Sequence, residues 1–264
     1  MKRTIISILI YIGLQILVSL FVAMVAGVIS VAQGGDVASV AQSATVLGIS
    51  SLLANVIAII VLLKLRYANF SFGHMRSSDI MPALVIAAVL ALAMVSPLSW
   101  LSDSLELPDF LKNEFTASMS DFWAIIAISL VAPVAEELLF RGAIQGALQK
   151  IMKPKWAIFL SALIFGLIHF NPVQVCGAFL MGLVFAWLYY RTGSVWPGIV
   201  AHATNNIVST ILGQFYPVDA SLAEITGGGT PMYALLAVSM IVFVAVICYG
   251  KKTLPLPDNA ENVC

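Results

Sequence analysis

The chain has 264 residues, of which 61% are apolar and only 10% charged, and its mean hydropathy is +1.01. Soluble domains are about 45–50% apolar and about 25% charged, so a water-soluble globule is excluded and the excess apolar surface requires lipid as solvent. Lys+Arg and Asp+Glu number 13 each, which gives no charge argument for nucleic acid or an acidic partner.

The N-terminal Lys2-Arg3 precedes an apolar run from Thr4 to about Val31. That run far exceeds the roughly 7–15 residues of a secretory h-region, so it is read as a retained first helix. Seven further apolar segments follow, at about Ala44–Leu63, Ile80–Leu101, Phe122–Leu148, Trp156–Phe170, Val173–Tyr190, Val195–Leu212 and Met232–Tyr249. The fold class expected is therefore all-α, a polytopic membrane protein of about eight transmembrane helices. It forms one integral membrane domain over residues 1–264 with its motif-bearing core at about 122–212. The fourth segment is long against the roughly 20 residues needed to cross, the fifth is short, and Pro133 predicts a kink in the fourth. The loops Ser102–Asp121 and Gln214–Pro231 are the long ones, the second holding a Gly227-Gly228-Gly229 run. No internal repeat of the transporter kind is visible.

The bases fix an orientation. With the N-terminus inside, eleven of the 13 bases fall on inner segments, Lys112 alone falls outside, and Arg141 lies within a span. Eight acids, from Asp36 to Glu224, fall outside. Both termini are thus expected on the cytoplasmic side. The C-terminal stretch Pro255–Cys264 carries no retention signal, which favours a prokaryotic plasma membrane. Cys176, Cys248 and Cys264 share no CxxC spacing, against a disulfide framework or a cysteine metal site.

Charges within spans cost roughly 2.5–3.5 kcal/mol each on insertion scales and need a partner or a task. Glu137 and Arg141 are i and i+4 in the favourable order for an ion pair. Glu136 projects about 100° away and gains no such partner. Phe165 and His169 share a face one turn apart, as do His202 and Asn206, whereas Asn205 points elsewhere. Each pair taken alone also reads as structural: a polar network, a helix-end histidine, or interhelical glue. Gly142 and Gly146 have a small-xxx-small spacing suited to close helix packing, and His74 reads as a solvated loop residue. Depth joins the polar groups: Glu136 and His169 each lie about 21 Å from the inner side, and His202 about 16 Å. A carboxylate, two imidazoles and an amide at similar levels read as a hydrolytic set, in which a carboxylate takes a proton from water and donors face the oxyanion. Neither G-x-S-x-G nor H-E-x-x-H is present, although two histidines and Glu136 contain enough donors for zinc in principle.

The ordered motifs Glu136-Glu137-x-x-x-Arg141, Phe165-x-x-x-His169 and His202-x-x-x-Asn206 resemble the CAAX protease and bacteriocin-processing enzyme family, the type II CAAX prenyl endopeptidases. The match spans about Val131–Asn206. The resemblance implies an intramembrane glutamic endopeptidase acting on membrane-associated peptides or proteins, without metal or other cofactor. In it Glu136 and His169 would activate water, His202 and Asn206 would stabilise the oxyanion, and Glu137, Arg141 and Phe165 would support the site. The partners implied are the bilayer and a peptide substrate, with no nucleic acid. Two other readings stand beside it: a non-enzymatic immunity or scaffold protein of the same fold, and a proton-coupled transporter.

Overall fold

The computed structural model describes residues 2–256; Cys264 and the rest of the tail from residue 257 lie outside the described residues. Helices account for all the regular structure, and there is no strand among the described residues. The long helices are α1 (Lys2–Ala32), α3 (Ala44–Lys64), α4 (Ser77–Leu105), a broken helix over Phe122–Leu148, α9 (Pro154–Leu167), α10 (Pro172–Thr192), α11 (Trp196–Phe215) and α13 (Gly229–Thr253). Each of the eight expected spans corresponds to one of them. Six are long and apolar enough to cross a membrane. The other two are α9, with 14 residues, and α11, whose 20 residues include His202, Asn205 and Asn206. Fourteen residues reach only about 21 Å, short of the roughly 30 Å hydrocarbon core.

Large apolar side chains on α1 and α13 point outward, Leu17 being 66% and Ile241 68% exposed. On a soluble protein this would be a liability, but it is the surface a bilayer requires. The interior is packed with small, aliphatic and aromatic residues, including Ala54, Ala87, Leu138, Phe140, Phe165 and Phe185. Short helices that the loop reading did not anticipate occupy the connections: α2 (Val37–Ala41), α5 (Lys112–Ser118) and α12 (Leu222–Thr226), the last begun by a Ser221/Glu224 capping box.

The broken helix positions the site. It runs α6 (Phe122–Ile126), a π-helical turn (Ala127–Val131), α7 (Ala132–Glu137), a second π-helical stretch (Leu138–Gln145) and α8 (Gly146–Leu148). The sequence predicted a kink at Pro133. The structure answers the proline with a register change, in which the N–H of Ala132 reaches the carbonyl of Ala127, five residues back. In that register the carbonyl due to bond residue 133 is that of Ile128, and proline has no N–H to offer it. Asn206 of α11 supplies the missing donor, its Nδ2 lying 2.8 Å from the Ile128 oxygen. In the second π stretch the Phe140 carbonyl likewise accepts from Ser161 Oγ of α9 at 3.0 Å.

Arg191, placed by the sequence simply among the inner-side bases, has a structural task. It is 7% exposed and donates from Nη2 to the carbonyls of Lys251, at 2.8 Å, and Leu254, tying down the end of α13. Charge-assisted hydrogen bonds are worth about 1.5–3 kcal/mol. Arg191→Ala is expected to lose that much, read as a lower midpoint in thermal melts of the detergent-solubilised protein. An unchanged midpoint would show that α13 is held by packing alone.

Candidate active site

Two adjacent glutamates on one helix have opposite environments. Glu137 is completely buried and accepts from Arg141 Nη1 at 2.7 Å, as the spacing required. Arg141 is equally buried, donates from Nη2 to the Gly182 carbonyl at 3.1 Å, and sits 4.5 Å from the Phe165 ring centroid and 5.1 Å from that of Phe185. Such stacking offsets part of the cost of dehydrating a guanidinium. Glu136 faces the other way, into a cavity of about 720 Å³, with its side chain 18% exposed. Its nearest ion-pairing partner among the described residues is His202 Nε2, at 3.9 Å.

His202 lies between the two carboxylates. Its Nδ1 is 3.3 Å from Glu137 Oε1, closer than the Glu136 contact. A carboxylate accepts only, so the Nδ1 hydrogen points to Glu137 and Nε2 is turned toward Glu136 and the cavity. Phe185 stacks on the imidazole at 5.1 Å and 22°, and the Phe165 edge meets it at 5.5 Å. The sequence reading placed Glu137 only in a supporting network. In the structure it is also the group that orients His202.

His169 is not in a helix. α9 ends at Leu167, and His169 occupies the turn before α10, where Phe170 takes a left-handed φ of 52°. The one-turn relation to Phe165 nevertheless holds, because His169 Nδ1 donates to the Phe165 carbonyl at 2.8 Å. Nε2 is then the free acceptor of the neutral ring. Phe165, 2% exposed, touches the edge of His169 as well, at 5.1 Å. One ring thus contacts both imidazoles and the guanidinium.

Asn206 lines the same cavity while bridging to Ile128, and its second amide hydrogen is not used in that bond. Asn205 departs from the sequence reading. It also lines the cavity, and its Nδ2 donates to Asn206 Oδ1 at 3.3 Å, so it fixes how Asn206 is oriented. Glu136, Phe165, His169, His202 and Asn206 therefore all line one cavity, with Glu137 and Arg141 packed behind it. Among the described residues no group of three His, Cys, Asp or Glu side chains has a metal-holding arrangement.

Several lining residues escaped the sequence reading. Tyr11 Oη and Gln15 Nε2 of α1 both donate to Asn55 Oδ1 of α3, each at 3.0 Å, forming a polar wall opposite the motifs. An asparagine within an apolar span was the available signal. Asn171, completely buried, donates to Asp109 at 2.8 Å and accepts from the N–H of Phe110 at 3.1 Å. It thereby latches the loop after α4 to the turn that carries His169. A second strap, Lys112 to Asp219 at 2.5 Å, joins the two long loops at the cavity mouth. The hydrogen bond from Lys112 holds the Asp219 carboxyl below its ordinary range, so this strap is intact at neutral pH and is lost as pH falls through that lowered value.

The chain is similar to known proteins over part of its length. Residues 118–208 match the family profile described as type II CAAX prenyl endopeptidase Rce1-like. "Putative membrane peptidase YdiL" of Bacillus subtilis (strain 168) is 38% identical over 94 residues, 36% of this chain and 38% of that protein. "Uncharacterized protein YyaK" of the same strain is 30% identical over 175 residues, 57% of this chain and 58% of that protein. The chain thus spans between about a third and three-fifths of the length of the curated relatives it matches. No solved structure matches it.

Gly198 tests how tightly the site is built. A Cβ there would stand 2.5 Å from Glu137 Oε2, which is buried against α11. Gly198→Ala must displace Glu137 or the helix, and overpacking of this kind costs about 1–3 kcal/mol. Arg141→Ala is expected to cost more, about 3–5 kcal/mol, because it strands a buried carboxylate. Both are read by thermal melts, and an Arg141→Ala protein as stable as wild type would mean that the pair contributes no structural constraint. The segment that builds this site, residues 118–208, is the one that matches the Rce1-like type II CAAX prenyl endopeptidase profile.

Proposed function

We propose that the chain is an intramembrane endopeptidase in which Glu136 activates water against a peptide bond of a membrane-associated substrate. The observation that carries this reading is the division between adjacent glutamates: Glu137 is neutralised by Arg141, while Glu136 faces the cavity with no arginine or lysine beside it among the described residues. A general base needs that arrangement, since a salt-bridged carboxylate is a poor proton acceptor. Glu136 takes a proton from water, and the resulting hydroxide attacks the carbonyl carbon. Asn206 Nδ2 and, in its doubly protonated form, His202 Nε2 donate to the oxyanion. The proton passes from Glu136 to the leaving amine as the C–N bond breaks, giving a carboxylic acid and an amine that ionise to carboxylate and ammonium. The free Nε2 of His169 orients the water by accepting its second hydrogen.

Orientation belongs to the same proposal. The cavity is lined by Asp103 in the last turn of α4 and by Asp109 and Asp219 from the loops at the same end of the bundle, whereas Arg66, Lys150, Lys251 and Lys252 lie at the other. With both termini cytoplasmic in a prokaryotic plasma membrane, the mouth opens away from the cytoplasm. Substrates then present their scissile bond on that side. Reporters fused within Arg66–Ser78 are expected to signal the inner side and those within Ser102–Asp121 the outer. The reverse pattern would overturn the orientation.

The chemistry is tested with purified variants on a cleavable membrane peptide. Glu136→Gln is expected to abolish turnover without lowering the melting midpoint, and His169→Ala to cost comparably. Asn206→Ala and His202→Ala should each lose roughly 10²–10³-fold, the usual cost of an oxyanion donor. Asn205→Ala should lose less than Asn206→Ala, because its amide only orients its neighbour. Chelators are expected to leave activity intact. Near-normal cleavage by Glu136→Gln would remove the proposal, and equimolar tightly held metal would replace the water-activation step.

A further inference from the structure

At the opposite end of the bundle from the candidate active site lies a second cavity, of about 570 Å³. That is within the roughly 300–1,000 Å³ of small-ligand sites. Three segments each send a cation to it: Arg3 at the start of α1, Arg66 after α3, and Lys150 after the broken helix. Among the described residues no carboxylate lines it, and none of the three cations has an ion-pair partner. Neutral donors also face it. The Asn69 amide uses its oxygen on the N–H of Ser71, which leaves Nδ2 available, and the Tyr189 hydroxyl stands over the bare Gly146. Ile151, 56% exposed, forms an apolar lip.

Arg66 is the informative residue. The N–H of Tyr67 bonds the Leu62 carbonyl and that of Arg66 the Leu63 carbonyl, which is the Schellman ending of α3. Arg66 is the left-handed residue of that ending, with φ at 54°, where glycine is the favoured occupant. A guanidinium is therefore carried at a position that penalises every side chain, and it is aimed into a cavity with two other cations. Converging like charges repel until an anion joins them, and the polar donors combined with an apolar lip fit an anion that carries acyl chains.

We propose that this cavity binds the phosphodiester headgroup of an anionic phospholipid from the adjacent leaflet. Arg3, Arg66 and Lys150 neutralise the phosphate, Asn69 and Tyr189 donate to its oxygens, and the acyl chains pass over Ile151. This is independent of the peptidase reading and asks only that the chain span a bilayer.

The test is native mass spectrometry, with thermal melts in neutral detergent, of the full chain supplied with phosphatidylglycerol, phosphatidylcholine or inorganic phosphate. Phosphatidylglycerol is expected to give a saturable one-lipid adduct and a raised melting midpoint, and the other two neither. Each cation removed should weaken phosphatidylglycerol binding roughly five-fold, so Arg66→Gln with Lys150→Gln should weaken it roughly 25-fold. Arg66→Gly relieves the strained backbone, so it should melt at or above the wild-type midpoint without lipid while losing lipid affinity. Equal binding of phosphatidylcholine, wild-type lipid affinity in Arg66→Gly, or the same stabilisation by inorganic phosphate alone would each overturn the proposal.

Discussion

The Glu137–Arg141 pair is the constraint around which the interior is arranged. Two charges with no solvent exposure are held at 2.7 Å in a chain that spends most of its length in hydrocarbon. Removing such ions from water costs several kcal/mol apiece, and their attraction repays that only with good geometry and further hydrogen bonds. The neighbours are those this demand selects. The Phe165 and Phe185 rings flank the guanidinium, the Gly182 carbonyl accepts from it, His202 donates to the carboxylate, and Gly198 leaves room for Oε2. α9, α10 and α11 each bring a residue against this pair. Glu136 takes its distinct environment from the same fact, because the cation within reach is already committed.

The irregular turns follow a similar logic. A proline in a span leaves a carbonyl without its donor, and no water in hydrocarbon replaces it. The π turn before Pro133 moves that loss onto Ile128, where Asn206 covers it. A repair and the amide proposed to face the oxyanion are thus the same side chain. Asn206 is held by backbone geometry that only a proline-broken helix offers, which is the preorganisation a donor to a developing charge needs. Asn205 adds a second restraint from the same helix.

Much of this was legible in the sequence. Hydropathy placed eight helices, and the i, i+4 spacings of Glu137 with Arg141 and Phe165 with His169 became contacts. The spacing argument missed where local order is not α-helical or where partners come from far away in sequence. His169 sits in a turn, because α9 stops after 14 residues. Asn205 was assigned a face by counting 100° from Asn206, yet the cavity is wide enough that both amides line it. The polar wall of Tyr11, Gln15 and Asn55 and the latch at Asn171 depend on residues 40 or more positions apart, about which helical periodicity says nothing. Arg191 looked like one more inner-side base, because a positive-inside count treats every base alike.

A longer pattern shows how the broken helix and its partner fit together. Glu137, Arg141, Gln145 and Gln149 follow at steps of four, and each has a buried side-chain atom without a hydrogen-bond partner among the described residues. In a plain α-helix a four-residue step overshoots the 3.6-residue turn by about 40°, so the stripe would wind off its neighbour. The π stretch from Leu138 to Gln145 has wider turns, which a four-residue step undershoots, and the drift is cancelled. Arg141 and Gln145 consequently keep pace with α10, reaching the carbonyls of Gly182 and Ala186, themselves four apart. The incompletely satisfied atoms of this stripe cost stability, and the cost falls on the helix that carries Glu136 at one end of the stripe and Gly146 and Lys150, which line the basic cavity, at the other. A straight apolar helix would have been more stable there, but it would present neither a split pair of glutamates nor a carbonyl for Asn206.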